Sequence, residues 1–167
     1  MNLRKTVSLT IDTEALKELL KRNQLDVGDE LEIDGDLWRV LKTGNKTALI
    51  WKHTGLDVKT PFNEDGTNKY EGSDLQKACQ EYDPPQELKE LMDGDFFPLS
   101  IEEVEELLPK ESDRIATNKN GETTWWWTRS AYRSSGHHAW RVNPAGYVND
   151  VSAAYSSFSL APACAIR

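Results

Sequence analysis

Through the first 110 residues the hydrophobic positions recur at helix or strand spacing, and beyond them the helical spacing disappears. Residues 7–11 alternate apolar and polar and predict a short strand. Asp12 and Thr13 offer an N-cap to a helix over about 14–22, where Leu16, Leu19 and Leu20 at i, i+3 and i+4 make one apolar stripe. Gly28 marks a break. Leu31 and Ile33, then Leu37, Trp38 and Val40, predict two strands around Asp34-Gly35-Asp36, a sequence suited to a tight hairpin turn. A turn over 42–45 precedes the apolar run Ala48-Leu49-Ile50-Trp51, so residues 30–52 predict an antiparallel meander.

Residues 54–72 read as loop, rich in Gly, Pro and Asn. Ser73 followed by Gln76 is a capping-box pattern that opens a helix to about Tyr82. Asp83-Pro84-Pro85 stops it and starts another with Pro85 at its first position and Leu88, Leu91 and Met92 as its apolar face; Asp93-Gly94 ends that one. Ser100 and Glu103 form a second capping box, with Leu99 and Val104 placed as a hydrophobic staple, for a helix to about Leu108. After a turn at 118–121, residues 123–128 are strongly β-prone. Strand alternation puts Trp125 and Trp127 on one face and Trp126 on the other, with at least two of the three in the core. Gly136, Pro144 and Gly146 divide the remainder into short strands near 139–142, 147–151 and 160–166, the last apolar enough to close back into the core.

A chain of 167 residues fits one domain and buries about two thirds of its unfolded surface. Only 38% of residues are hydrophobic, but six Trp supply large buried areas. The net charge of −8 is uneven: residues 117–167 hold five basic and two acidic groups, which leaves −11 on the first 116. That balance argues against nucleic acid or an anionic membrane as partner. Cys79 and Cys164 make no disulfide framework; one pairing is possible, and two free buried thiols are the expectation. No run reaches transmembrane length, and the basic start at Arg4-Lys5 lacks a signal-peptide apolar stretch because Asp12 interrupts it. Synthesis in the cytoplasm without direct membrane insertion is expected.

The compositional break lies later. From Ala131 to Ser159 the chain has no Lys, Glu, Gln or Met, although these make up about a quarter of what precedes. At uniform composition about seven would be expected, and an empty window has odds of order 10⁻⁴. The residues that remain are rich in Tyr, Ser, Ala, Asn, His, Arg and Phe, the palette of an adaptable binding surface. Chemistry-bearing motifs are weak by comparison. His137-His138 are neighbours that point to opposite sides of a strand and do not chelate one ion. Ser134-Ser135-Gly136 is not the G-x-S-x-G turn of a hydrolase nucleophile. Glu102-Glu103 and Glu105-Glu106 read as the solvated face of their helix. Val148-Asn149-Asp150 has a faint likeness to calcium-lectin ligands without a second acidic cluster. No metal or cofactor is expected, and Trp140 reads as scaffold, the one large apolar residue in a polar stretch.

Trp126-Trp127-Thr-Arg129-Ser130, then Ala139-Trp140-x-Val142-Asn143-x-x-Gly146-x-Val148-Asn149, then Ala161-Pro162-Ala163-Cys164, resemble the C-terminal region of variable proteins of diversity-generating retroelements. Those proteins have a C-type lectin fold, in the branch that includes formylglycine-generating enzymes. Trp38-Arg-Val-Leu41, Ala48-Leu-Ile50, Tyr70-Glu-Gly-Ser-Asp74 and Phe97-Pro-Leu-Ser100 also fit, so the resemblance spans about 30–167 and leaves 1–29 as an N-terminal extension. Trp127-Thr128 depart from it, since many relatives carry Leu before the Arg.

In that family a reverse transcriptase miscopies template adenines, turning AAY codons into NNY, and NNY encodes no Lys, Glu, Gln, Met or Trp. The resemblance implies an α+β C-type-lectin-like domain that binds ligand and catalyses nothing. Its diversified, ligand-binding positions would be Tyr132, Ser134, Ser135, His137, His138, Arg141, Ala145, Tyr147, Asp150, Val151, Ser152, Tyr155, Ser156 and Phe158. Tyr132, Tyr147, Tyr155 and Phe158 would be anchors, while Arg129, Ser130, Trp140, Val142, Gly146, Val148 and Ala161 to Cys164 would stay fixed. The implied partner is a protein or glycan on another cell or virion, met from a phage tail or cell surface. Two alternatives remain: a formylglycine-generating-type oxidase, which needs paired cysteines at a peptide groove, and a calcium-dependent sugar lectin. The ligand-binding reading expects millimolar calcium to leave Tm unchanged in a thermal melt, whereas a rise would favour the calcium lectin.

Overall fold

In the computed structural model, which describes residues 11–155 and 158–167, Asp12 caps the first helix by accepting a hydrogen bond from the Ala15 N–H at 2.8 Å. Helix α1 (Thr13–Lys21) buries Leu16 and Leu20 from the expected stripe. Strands β1 (Glu30–Ile33) and β2 (Asp36–Gly44) meet at a two-residue turn, Asp34-Gly35, with φ of 51° and 84°. Positive φ at both positions gives the turn the twist that a tight hairpin needs. Strand β3 (Thr47–Lys52) completes the meander. Its connecting turn falls at Asn45-Lys46 rather than 42–45, because β2 keeps its pairing as far as Gly44 opposite Thr47.

Strand β4 (Lys59–Thr60) is a short insertion in the expected loop. Helix α2 (Asp74–Glu81) starts at Ser73, whose Oγ accepts the Gln76 N–H; the Gln76 side chain reaches back to the Gly72 N–H instead of closing the box on Ser73. Helix α3 (Gln86–Lys89) takes Pro85 as its cap residue rather than its first helical residue. Strand β5 (Met92–Phe97) runs through the Asp93-Gly94 pair that local sequence reads as a stop, because β12 pairs with it. Helix α4 (Ile101–Leu107) has the full reciprocal capping box between Ser100 and Glu103, and Leu99 and Val104 are both buried. A 3₁₀ turn (Glu111–Arg114) follows. Then come β6 (Ala116–Thr117), β7 (Thr123–Thr124), β8 (Trp126–Ala131), β9 (His138–Val142), β10 (Val148–Ser152), β11 (Phe158–Ser159) and β12 (Ala163–Ile166).

The architecture is α+β, with small and mainly antiparallel sheets. One sheet has the order β1-β2-β3-β12-β5, another β10-β9-β8-β11-β4, and β6 pairs with β7. The C-terminal β12 is therefore an interior strand, Cys164 opposite Ile50 on β3 and Ala163 opposite Phe97 on β5. Burial on both faces explains its continuous apolar sequence.

Two hydrophobic clusters fill the interior. Strand alternation sends adjacent residues into different ones: Val40, Ile50, Trp127 and Cys164 into the larger, and Leu41, Trp51, Trp126 and Ala163 into the smaller. Helix α4 contributes Val104 to the smaller cluster, and α1 and α2 contribute Leu16, Leu20, Leu75 and Cys79 to the larger. Both cysteines are free thiols, buried in the larger cluster. Of the strand expected at 7–11, only Ile11 lies among the described residues; it is buried and its N–H donates to Glu32 O at 3.1 Å. Among the described residues no helix is long and apolar enough to cross a membrane.

Residues 11–29, an extension by resemblance, thus supply Ile11, Leu16, Leu20 and Leu25 to the same core as the sheets. Leu16→Ala is accordingly expected to cost about 2–5 kcal/mol. Urea melts should show one transition at a lower midpoint; an unchanged midpoint would mean that α1 unfolds independently.

Candidate functional site

The described residues of the segment that lacks Lys, Glu, Gln and Met form the β8–β9 loop and strands β9, β10 and β11 of the second sheet, and their backbone is braced by side-chain hydrogen bonds. Asn68 is the main holder. Its Nδ2 donates to Ser135 O at 2.6 Å, to His138 O at 2.8 Å and, more weakly, to Tyr132 O at 3.5 Å, while its own N–H donates to Gly136 O. The Tyr132 N–H donates to His138 O, closing the loop between β8 and β9. All of these acceptors are main-chain carbonyls, so this bracing does not use the loop's own side chains; Ser135 Oγ adds a bond from the His137 N–H at 3.2 Å. Nothing but an Asn in a loop-like stretch marks Asn68 in the sequence, because its partners lie about 70 residues away.

The β9–β10 hairpin is fixed in a similar way. Asn143 Oδ1 accepts the N–H groups of Ala145 and Tyr147, and the Gly146 N–H donates to Asn143 O. Gly146 sits at φ 90°, and a Cβ there would lie 1.9 Å from Glu111 O. Only glycine meets both conditions. Arg129 and Ser130 tie α4 to β8. The Arg129 Nη1 donates to Pro98 O and to the Glu103 carboxylate, its guanidinium lies over the Phe97 ring, and Ser130 Oγ accepts the Ile101 N–H.

Strand alternation divides the candidate side chains between two faces. On one, Trp140, Asp150, His138 and Ser152 fall in register, with His138 Nδ1 2.7 Å from Asp150 Oδ2 and Tyr132 edge-on to Trp140 at 5.2 Å. On the other, the Arg141 guanidinium lies 4.0 Å from the Trp125 ring centroid and 4.8 Å from that of Phe158, and its Nε donates to Asn149 Oδ1. Burial lowers the pKa of Arg141, while Tyr155 and Asp150 act in the opposite sense. Tyr155 stacks on Phe158 with an interplanar angle of 5°.

Ser134, His137, Ala145, Tyr147 and Tyr155 are exposed, the two tyrosines at 58% and 55%. Tyr132, Ser135, His138, Arg141, Asp150, Val151 and Ser152 are half-buried, and Ser156 lies outside the described residues. Three expectations change. Phe158, expected as an exposed anchor, is 4% exposed and meets the Trp127 ring edge-on at 4.8 Å, because β11 is drawn between β8 and β4. Val151, expected as a ligand-binding position, is opposite Ala139 and packs against the larger cluster, so it is only partly exposed. Trp140, expected as scaffold alone, is half-buried and also lines a surface pocket with Tyr132.

The two thiols have no ready chemistry. Burial pushes the pKa of Cys79 and of Cys164 up to about 12, so both are protonated at neutral pH. Among the described residues no group of three or more His, Cys, Asp and Glu is placed to hold a metal ion.

A family model for DUF6273, a domain of unknown function, matches residues 81–167, more than half the chain, and the protein belongs to that family. The matched span includes β5 and β12 but not β3, which pairs with β12, so the sheet extends beyond it. No curated protein and no solved structure matches the chain.

Asn68→Ala leaves the loop carbonyls without their donor. It should lower stability by about 1–3 kcal/mol and speed amide exchange across 132–138, whereas Ser134→Ala should stay within about 0.5 kcal/mol of the parent. Hydrogen exchange read by mass spectrometry separates the two, and equal protection in both variants would contradict the bracing role.

Proposed function

We propose that this protein is a ligand-binding protein of C-type-lectin-like fold whose segment 131–159 is diversified by a retroelement. The observation that carries the reading is the absence of Lys, Glu, Gln and Met from that segment. Its meaning is codon-level: those types are ones that NNY cannot write. The geometry supports it in a second way. Asn68 and Asn143 hold backbone atoms of the segment, while Ser134, His137, Ala145, Tyr147 and Tyr155 point outward. Side chains at such positions can change with little effect on folding. An interior C-terminal strand, with a loop-rich second sheet beside it, also fits a lectin-like scaffold.

Exposed tyrosines give rigid contact area at low entropy cost, and Ser and His add adaptable hydrogen bonding. In this reading Tyr147 and Tyr155 are the anchors. Arg141, held by Trp125, Phe158 and Asn149, presents a preorganised charge. The ligand is a protein or glycan on another cell or virion, reached from a phage tail or cell surface.

The oxidase alternative is disfavoured by two protonated, buried thiols on separate elements, Cys79 on α2 and Cys164 on β12. The calcium-lectin alternative is disfavoured because Asn149 Oδ1 accepts from Arg141 and the Asp150 carboxylate contacts His138. Calcium would have to displace both.

The genomic locus tests the reading directly. We expect a nearby imperfect copy of the codons for 131–159, differing from this gene where the copy has adenines, beside a reverse-transcriptase gene. A locus with neither would falsify diversification, and would leave a binding surface of fixed sequence.

A further inference from the structure

Between α4 and the β8–β9 edge lies a pocket of about 320 Å³. We infer that it receives a basic side chain, Lys or Arg, of a protein ligand. Trp140 and Tyr132 form one corner, meeting edge-to-face at 5.2 Å and 75°. Glu102 and Glu105 line the opposite side from α4. Three residues apart, they share one helix face. Both are exposed, and among the described residues neither forms an ion pair.

The pocket is built rather than incidental. The Ile101 N–H donates to Ser130 Oγ, and Arg129 donates to Glu103, which fixes the start of α4 against β8. Thr128 Oγ1 donates to Trp140 O, fixing β9 beside it. Aromatic faces attract a cation through the ring quadrupole, and unpaired carboxylates add Coulomb attraction at the mouth. An Arg or Lys stem also suits the apolar lining residues Ile101 and Ala131. One basic group, Arg133, already stands at the rim, exposed and without an ion pair among the described residues. It competes for the same carboxylates, so its removal should favour the ligand.

The occupant rests on the ligand-binding reading for its biological sense. In that reading α4 and Trp140 are fixed while Tyr132 is diversified, so the carboxylates and the indole would be constant and the second ring of the corner would change between variants.

The test uses the full chain, labelled with ¹⁵N, titrated with Nα-acetyl-arginine methylamide and Nα-acetyl-lysine methylamide. The neutral control is Nα-acetyl-norleucine methylamide. The Trp140 indole signal is assigned by its loss in Trp140→Phe. We expect saturable shifts of that signal and of the Ile101 amide with a millimolar Kd. Binding should weaken about fivefold or more in Glu102→Gln/Glu105→Gln, strengthen in Arg133→Ala, and weaken with added salt. No saturable shift up to about 50 mM, equal binding of norleucine, or an unchanged double variant overturns the inference. Its failure is distinct from that of diversification, which is read in the gene locus.

Discussion

The alternation of Trp126 and Trp127 on β8 governs the rest of the molecule. Neighbouring residues of a strand face opposite ways, so one indole enters each hydrophobic cluster. Trp126 packs 5.1 Å from Trp51, and its Nε1 donates to Arg114 O; Trp127 packs edge-on to Phe62 and Phe158, and its Nε1 donates to Thr60 O. Both polar atoms are satisfied, so each ring is buried without the penalty of an orphaned N–H. Truncating a buried Trp costs about 3–5 kcal/mol, a large share of the stability of a small domain. With both faces of β8 locked, β9 and β10 can extend outward from it as a platform.

On that platform shape and chemistry are separated. Asn68 and Asn143 bond to main-chain atoms, and Gly146 is required by its φ and by Glu111 O. Loop geometry is therefore set mainly by a few residues, and outward side chains such as Ser134 and Tyr147 take no part in these contacts. The two-face arrangement qualifies this. Tyr147 is exposed, Tyr155 is exposed but stacks on Phe158, Phe158 is a core residue, and Arg141 is held by neighbours. Positions within the same compositionally unusual segment differ in their tolerance, because some face solvent and others face the larger cluster.

Much of the fold was legible in the sequence because its signals are local. Asp12, Ser73 and Ser100 cap helices where their side chains reach a nearby N–H. The meander at 30–52 follows from alternation and from Asp34-Gly35, whose backbone sets the hairpin turn. Strand β5 was not legible. Its Asp93-Gly94 pair reads as a stop, and only pairing with β12 about 70 residues later makes it a strand. The candidate segment was legible as composition, but Asn68 was not, since its acceptors are brought to it by the fold.

The sequence by itself determined which residues alternate, where helices begin, and which segment carries an unusual alphabet, all of them local properties of the chain. Tertiary structure decided what those residues face. It drew Phe158 inward beside Trp127, and opened Trp140 onto a pocket with Glu102 and Glu105. The reason is physical: burial and charge proximity depend on which distant elements meet, and β8 and α4 meet through Arg129 and Ser130, contacts spanning more than 25 residues of chain.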